Sequence, residues 1–86
     1  MGKFDKILLL VLAGTSDQNI PFIDLCNLLN RLGFDLRTKG SHHIFTRVEV
    51  DEILNLQERQ GKAKPYQVKQ VREVLLKYRL ARFNDD

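Results

Sequence analysis

The hydrophobic period changes twice along this chain, and that change restricts the fold more than any other feature. Up to Gly33 apolar residues recur at three- and four-residue spacing, from Phe34 to Leu56 they tend to alternate, and after Pro65 the helical spacing returns. Phe4, Ile7, Leu8, Val11 and Leu12 predict a first helix of about three turns that stops at Gly14, and its unbroken leucines predict burial on more than one side. Thr15 to Asn19 is polar turn material. Pro21 suits the first turn of a second helix with Asn19 or Ile20 near the cap, Phe22, Leu25, Leu28, Leu29 and Leu32 form its inner stripe, and Gly33 ends it.

From Phe34, the residues Phe34, Leu36 and Thr38 alternate with Asp35, Arg37 and Lys39, the pattern of a half-buried strand. Lys39, Gly40 and Ser41 supply a turn, and His42 to Arg47 is the return strand. A third strand falls within Val50 to Gln57, with Leu56 and either Ile53 or Leu54 turned inward. Glu58 to Lys64 reads as a polar loop around Gly61. Pro65 opens a last helix lined by Val68, Val71, Val74, Leu75 and Tyr78, with Lys69, Gln70, Arg72, Glu73 and Lys77 largely outside. The order helix, helix, three-stranded antiparallel sheet, helix predicts an α+β sandwich of two layers, because a meander with one solvated face needs helices on the other.

With 86 residues the chain has room for one domain and one modest core, and none for a separate cofactor domain. Its 43% apolar and 29% charged residues fit an ordered domain. Cys26 is the single cysteine, which excludes an intrachain disulfide and a multi-cysteine zinc site and suits a reducing cytoplasm. The longest apolar run, Ile7 to Ala13, is far short of the roughly 20 residues that span a bilayer. The run follows Lys3 and Lys6 as a signal-peptide core would, but Asp5 interrupts the basic stretch and no small-x-small cleavage site follows, so no export is expected. Charge is unevenly placed: residues 1 to 36 hold three Lys/Arg against four acids, residues 37 to 86 eleven against seven. A basic half is the electrostatic footprint of a nucleic-acid partner and is also found on ordinary surfaces.

The basic half contains "KGSHHIF", residues 39 to 45. Neighbouring strand residues point to opposite faces, so His42 with Ile44 and His43 with Phe45 cannot both face the helices. Three readings are open. Both histidines can be plain strand residues. They can be metal ligands, although adjacent strand residues diverge and only Cys26 and scattered acids remain to complete a shell. Or one of them moves protons at a phosphodiester, where cleavage of RNA needs a group to take the 2′-hydroxyl proton, a group to protonate the leaving oxygen, and cations to offset charge on the phosphate. Arg37, Lys39, Arg47, Lys62 and Lys64 are the candidate cations. Each is equally compatible with a solvated surface charge.

"LLNRLGFDLRTKGSHHIF" followed by "NLQERQGKAKPYQVKQVREVLLKY" resembles the HicA toxin family: a helix ending in Leu-Gly-Phe, a strand, Gly-Ser-His with an aromatic residue three positions on, a third strand and a closing helix. The resemblance covers roughly residues 20 to 80 of a single 1–86 domain and leaves residues 1 to 19 as an N-terminal helical extension. It implies a double-stranded-RNA-binding-like fold and an mRNA interferase, an endoribonuclease that acts on mRNA, needs no metal or other cofactor, works in the cytoplasm and is neutralised by a HicB-type antitoxin. It also implies a catalytic histidine within Gly-Ser-His-His, where His42 matches the commonest form of the motif and His43 is the fallback; Arg37, Lys39, Ser41, Arg47, Lys62 and Lys64 are the expected RNA contacts of this sequence. The third strand departs from the family pattern in lacking the proline and histidine that many members carry there. Two other classes use the same parts without chemistry. One is an RNA-binding module, in which basic residues neutralise phosphates and Phe45 or Tyr66 stacks a base; the other is a protein-interaction domain whose basic half complements an acidic partner.

Overall fold

The structure, a computed structural model, describes residues 2–82. Helix α1 (Lys3–Ala13) ends at Gly14, which adopts φ 73° and donates its N–H to the Leu10 carbonyl. Ile7, Leu8 and Val11 face inward and are buried. Leu9 and Leu10 are 43% and 37% exposed, so the leucine run is buried on one side only. The physical reason is that α1 packs against α2 and α3 with one face, and among the described residues Leu9 and Leu10 on its other face stay open to water.

A short 3-10 turn, Asp17–Asn19, precedes α2 (Phe22–Arg31). Pro21 lies one position earlier than the sequence suggests: it is the N-cap, with its carbonyl accepting the first helical bond from Leu25 N–H at 3.1 Å. Phe22, Leu25, Leu28 and Leu29 form the inner stripe, joined by Cys26. Gly33, at φ +92°, turns the chain out of the helix, and a Cβ there would stand 3.2 Å from Arg47 Nε. Both the left-handed backbone and the overlying guanidinium therefore call for glycine.

Strands β1 (Asp35–Lys39), β2 (His42–Arg47) and β3 (Val50–Leu56) form an antiparallel meander in the order β1-β2-β3. Lys39 pairs with His42 across the two-residue turn Gly40–Ser41, Arg37 with Ile44, and Leu36 with Phe45. His43 pairs with Leu56, Ile44 with Asn55, and Phe45 with Leu54. Phe45, Leu54 and Leu56 are fully buried, which makes Leu54 the inward residue and leaves Ile53 60% exposed. A Phe→Ala truncation at such a position costs about 3–5 kcal/mol. Strand β1 departs from the half-buried expectation. Every residue in it is exposed, Leu36 included, because it is the sheet's edge and the helices cover β2 and β3 instead; only Phe34, just before it, is buried.

Residues 58–63 are not a plain loop. Strands β4 (Glu58–Arg59) and β5 (Lys62–Ala63) form a small antiparallel hairpin, turned by Gln60 and Gly61 at φ 53° and 80°. Two positive φ values match the turn type whose twist suits adjacent strands. The hairpin is tied to the start of α2: Ala63 N–H donates to the Ile20 carbonyl and Phe22 N–H to the Gly61 carbonyl, each at 2.9 Å.

Helix α3 (Pro65–Lys77) closes the core with Val68, Val71, Val74 and Leu75. Arg72, expected outside, is drawn in to bridge three segments. Its Nη1 donates to the Val11 carbonyl and to Asp17 Oδ1, both at 3.0 Å, and its Nη2 to Asp17 Oδ2 at 3.2 Å. Residues from α1, α2, β2, β3 and α3 share one buried cluster, to which the N-terminal helix contributes Ile7, Leu8 and Val11. Two helices, a three-stranded antiparallel sheet and a closing helix make the α+β layout expected from the period changes.

Candidate functional site

The β1–β2 hairpin decides where the two histidines go. Successive strand side chains alternate, and Phe45 is committed to the core, so His43 shares its face and His42 takes the other. His43 meets the Phe22 ring edge-on, with centroids 4.9 Å apart at 82°. Its Nδ1 is buried without a hydrogen-bond partner, which marks the inward side of the ring as a packing surface. His42 instead opens onto the solvated face of the sheet, half-buried at the first position of β2.

Around His42 the structure gathers a polar group from three segments. His42 Nδ1 lies 2.9 Å from Asn55 Oδ1 on β3. His42 Nε2 lies 3.4 Å from Gln57 Nε2, a longer and weaker contact. Gln57 Nε2 also donates to Ser41 Oγ in the turn at 3.2 Å, and Lys64 Nζ donates to Gln57 Oε1 at 3.1 Å. Lys39 is the cross-strand partner of His42 and is exposed. Beneath the group, Gln67, only 1% exposed, fixes the end of β3 to α3. Its Oε1 accepts the Gln57 backbone N–H at 3.2 Å, and its Nε2 donates to the Asn55 carbonyl at 3.4 Å and to Tyr66 Oη at 3.3 Å.

Of the residues singled out from the sequence, His42, Ser41, Lys64 and Lys39 come together at this end of the sheet. Arg37 lies on the same open face, paired with Ile44, and borders a shallow groove lined by Asp35, Leu36, Ile44 and Thr46. Lys62 stands on β5 and donates to Asn19 Oδ1 at 3.2 Å. Arg47 is not part of the group. It closes the far end of β2, where its Nε donates to the Leu32 carbonyl at 3.0 Å and so satisfies the end of α2. His43 is separated from His42 by the thickness of the sheet. Phe45, weighed as a stacking platform, is fully buried, whereas Tyr66 is 64% exposed.

Asn55, Gln57 and Gln67 were not among the sequence candidates. With Leu54 and Leu56 inward, Asn55 and Gln57 fall on the alternate positions beside His42, so a settled register finds them. Gln67 leaves a helical signal, since it precedes Val71 and Val74 by four and seven residues and is the polar member of an apolar stripe.

Among the described residues no three of His, Cys, Asp and Glu are grouped to hold a metal ion, and no helix is long and apolar enough to cross a membrane. The arrangement can offer a histidine ring nitrogen to a polar substrate on an open surface, with two cations alongside. Comparison with protein-family models, with curated proteins and with solved structures finds no match to the chain.

Proposed function

We propose that this chain is an endoribonuclease of the HicA type, an mRNA interferase that cuts single-stranded RNA in the cytoplasm with His42 moving the proton, and that a HicB-type antitoxin neutralises it by covering the same face. The observation that carries the reading is the separation of the two histidines. His42 stands on the open sheet face among Ser41, Lys39 and Lys64, and His43 is turned in against Phe22. A double-stranded-RNA-binding-like arrangement of α2, the meander and α3 belongs to the same proposal and is supported by the element order.

In this reading the phosphodiester lies over the open face near the start of β2. Lys39 and Arg37 approach its oxygens as charge builds, and His42 exchanges a proton with the sugar or the leaving oxygen. Proton transfer by a positioned side chain is worth about 10²- to 10⁴-fold in rate. The test is cleavage of a long unstructured RNA in excess chelator by wild type, His42→Ala and His43→Ala, each shown to be folded. Wild type should cut, His42→Ala should lose at least about a hundredfold in rate, and His43→Ala should keep its rate while unfolding more easily. Equal cutting by all three sinks the assignment. RNA retained without any cleavage makes the chain a binding module of the same fold.

A further inference from the structure

We infer that Lys64, Gln57 and Asn55 are positioning residues that hold neutral His42 with its proton on Nδ1, leaving Nε2 as the nitrogen that accepts a proton from substrate. The chemical consequence rests on the ribonuclease reading, the geometry on donor and acceptor identity.

The contacts can be followed in one direction, starting from Lys64. An ammonium group is only a donor, so the Gln57 amide atom that faces Lys64 Nζ at 3.1 Å has to be the oxygen. That places the Gln57 NH2, which is only a donor, toward Ser41 Oγ at 3.2 Å and toward His42 Nε2 at 3.4 Å. A ring nitrogen that faces a donor has to present its lone pair. Neutral imidazole carries one proton, which therefore sits on Nδ1 and is donated to Asn55 Oδ1 at 2.9 Å. Each partner is thus satisfied in one sense only, and the sense is set by the charge on Lys64. In a free histidine this is the minority neutral form.

The two ends of the ring are held unequally. The Nδ1 contact is the shorter, at 2.9 Å, and so the better held of the two. The Nε2 contact is long and comes from an amide already bonded to Ser41 and Lys64, so a hydroxyl can displace it without stranding the amide. Displacement by a ribose 2′-hydroxyl puts that O–H on a lone pair, which is the geometry of a general base. Two cations belong to this end of the sheet, Lys39 across the β1–β2 pair and Lys64 through its bond to Gln57. In the sequence Lys64 reads as an RNA contact; its place in the network makes it act through Gln57 instead.

The test reads the tautomer directly, by long-range proton–nitrogen correlation spectra of the whole chain in mildly alkaline buffer, with the signals of His43 as a check that each variant is folded. In wild type, His42 Nε2 should resonate as a lone-pair nitrogen and Nδ1 as N–H. Lys64→Met should give a mixture of forms. Lys64→Glu replaces a donor with an acceptor, so Gln57 should turn its amide, present Oε1 to the ring and make the Nε2–H form the major one. A wild-type ring protonated on Nε2, or one tautomer shared by all three proteins, overturns the inference. The second readout is single-turnover RNA cleavage. Lys64→Met should lose about tenfold or more in rate at saturating RNA with little change in affinity, whereas weakened affinity with an unchanged saturated rate would make Lys64 a phosphate ligand and refute the positioning role. If wild type cuts no RNA, the ribonuclease reading fails, and the spectra still decide the tautomer on their own.

Discussion

Replacing Gln67 with leucine tests whether the floor beneath His42 is held by one side chain. Leucine is close to glutamine in volume, so the change empties little space; what it removes is an acceptor for the Gln57 N–H and a donor for the Asn55 carbonyl. The bond to Tyr66 Oη matters less, because that side chain is exposed and its hydroxyl can turn to water. A buried polar group left without its partner costs about 1–3 kcal/mol. Gln57 is half-buried and the Asn55 bond is long, so the lower half of that range applies to each, and the gain from burying leucine offsets part of the sum. The net expectation is a loss of about 2 kcal/mol, which for a domain of this size lowers the melting temperature by about 8–16 °C. Urea unfolding checks it: the midpoint should fall with the slope unchanged. Gln67→Glu keeps the acceptor for Gln57 but buries a carboxylate with one oxygen against the Asn55 carbonyl, so at neutral pH it should be less stable than Gln67→Leu. A Gln67→Leu protein within about 0.5 kcal/mol of wild type, the scatter of ordinary surface substitutions, would refute the reasoning.

Burial pushes the Cys26 thiol up to about 11, with the Glu58 charge adding to it. At pH 8 about one thiol in a thousand is then ionised, and thiol reagents should label the folded chain far more slowly than the unfolded one; equal rates would place Cys26 outside the core. Because folding favours the neutral thiol, this contribution to stability is whole below the ordinary thiol range and is lost as pH rises through about 11. The Tyr78 hydroxyl, which donates to Glu52 Oε1 at 2.6 Å, and then Lys77 hold the Glu52 carboxyl below its ordinary range. That stabilisation is present above the ordinary carboxyl range and is lost as pH falls through the lowered value, so Tyr78→Phe should move the acid-unfolding midpoint to higher pH; an unmoved midpoint would show that the bond does not persist in solution. Neutralising Arg37 and Lys39 together should reduce the salt dependence of single-stranded RNA binding by about 1.4 in log–log slope, at about 0.7 for each phosphate no longer neutralised, and an unchanged slope would take RNA off the open face.

The three helices were legible because each carries an inner stripe ended by glycine or opened by proline, and these signals act within a few residues. The features that could not be read from the sequence depend on distant partners. Nothing in Asp35 to Lys39 tells whether a helix reaches over that strand, and all five of its residues are exposed. Arg47 looks like any strand cation until the Leu32 carbonyl, fifteen residues away, is found bound to its Nε. Arg72 has the spacing of an outer residue, yet Asp17 and the end of α1 draw it in. Glu58 to Ala63 lacks strand-forming residues, and its pairing comes from a left-handed Gln60–Gly61 turn and from docking on Ile20 and Phe22. At the site, the opposite facing of the two histidines followed from alternation alone. Which one faced out depended on Phe45 taking the core side of β2, and who its neighbours were required the choice of Leu54 over Ile53 as the inward residue of β3.

The exposure of β1 also bears on how the molecule keeps to itself. A sheet edge with unpaired backbone groups invites another chain to add a strand, and an edge of greasy residues would let copies of the protein stack into filaments. Here the strand is only five residues long, and three of them, Asp35, Arg37 and Lys39, are charged and in contact with water. A second copy laid antiparallel along that edge would bring basic side chains, the majority of the charges on this strand, alongside one another. A short strand carrying these charges is therefore a poor template for the edge of a second copy.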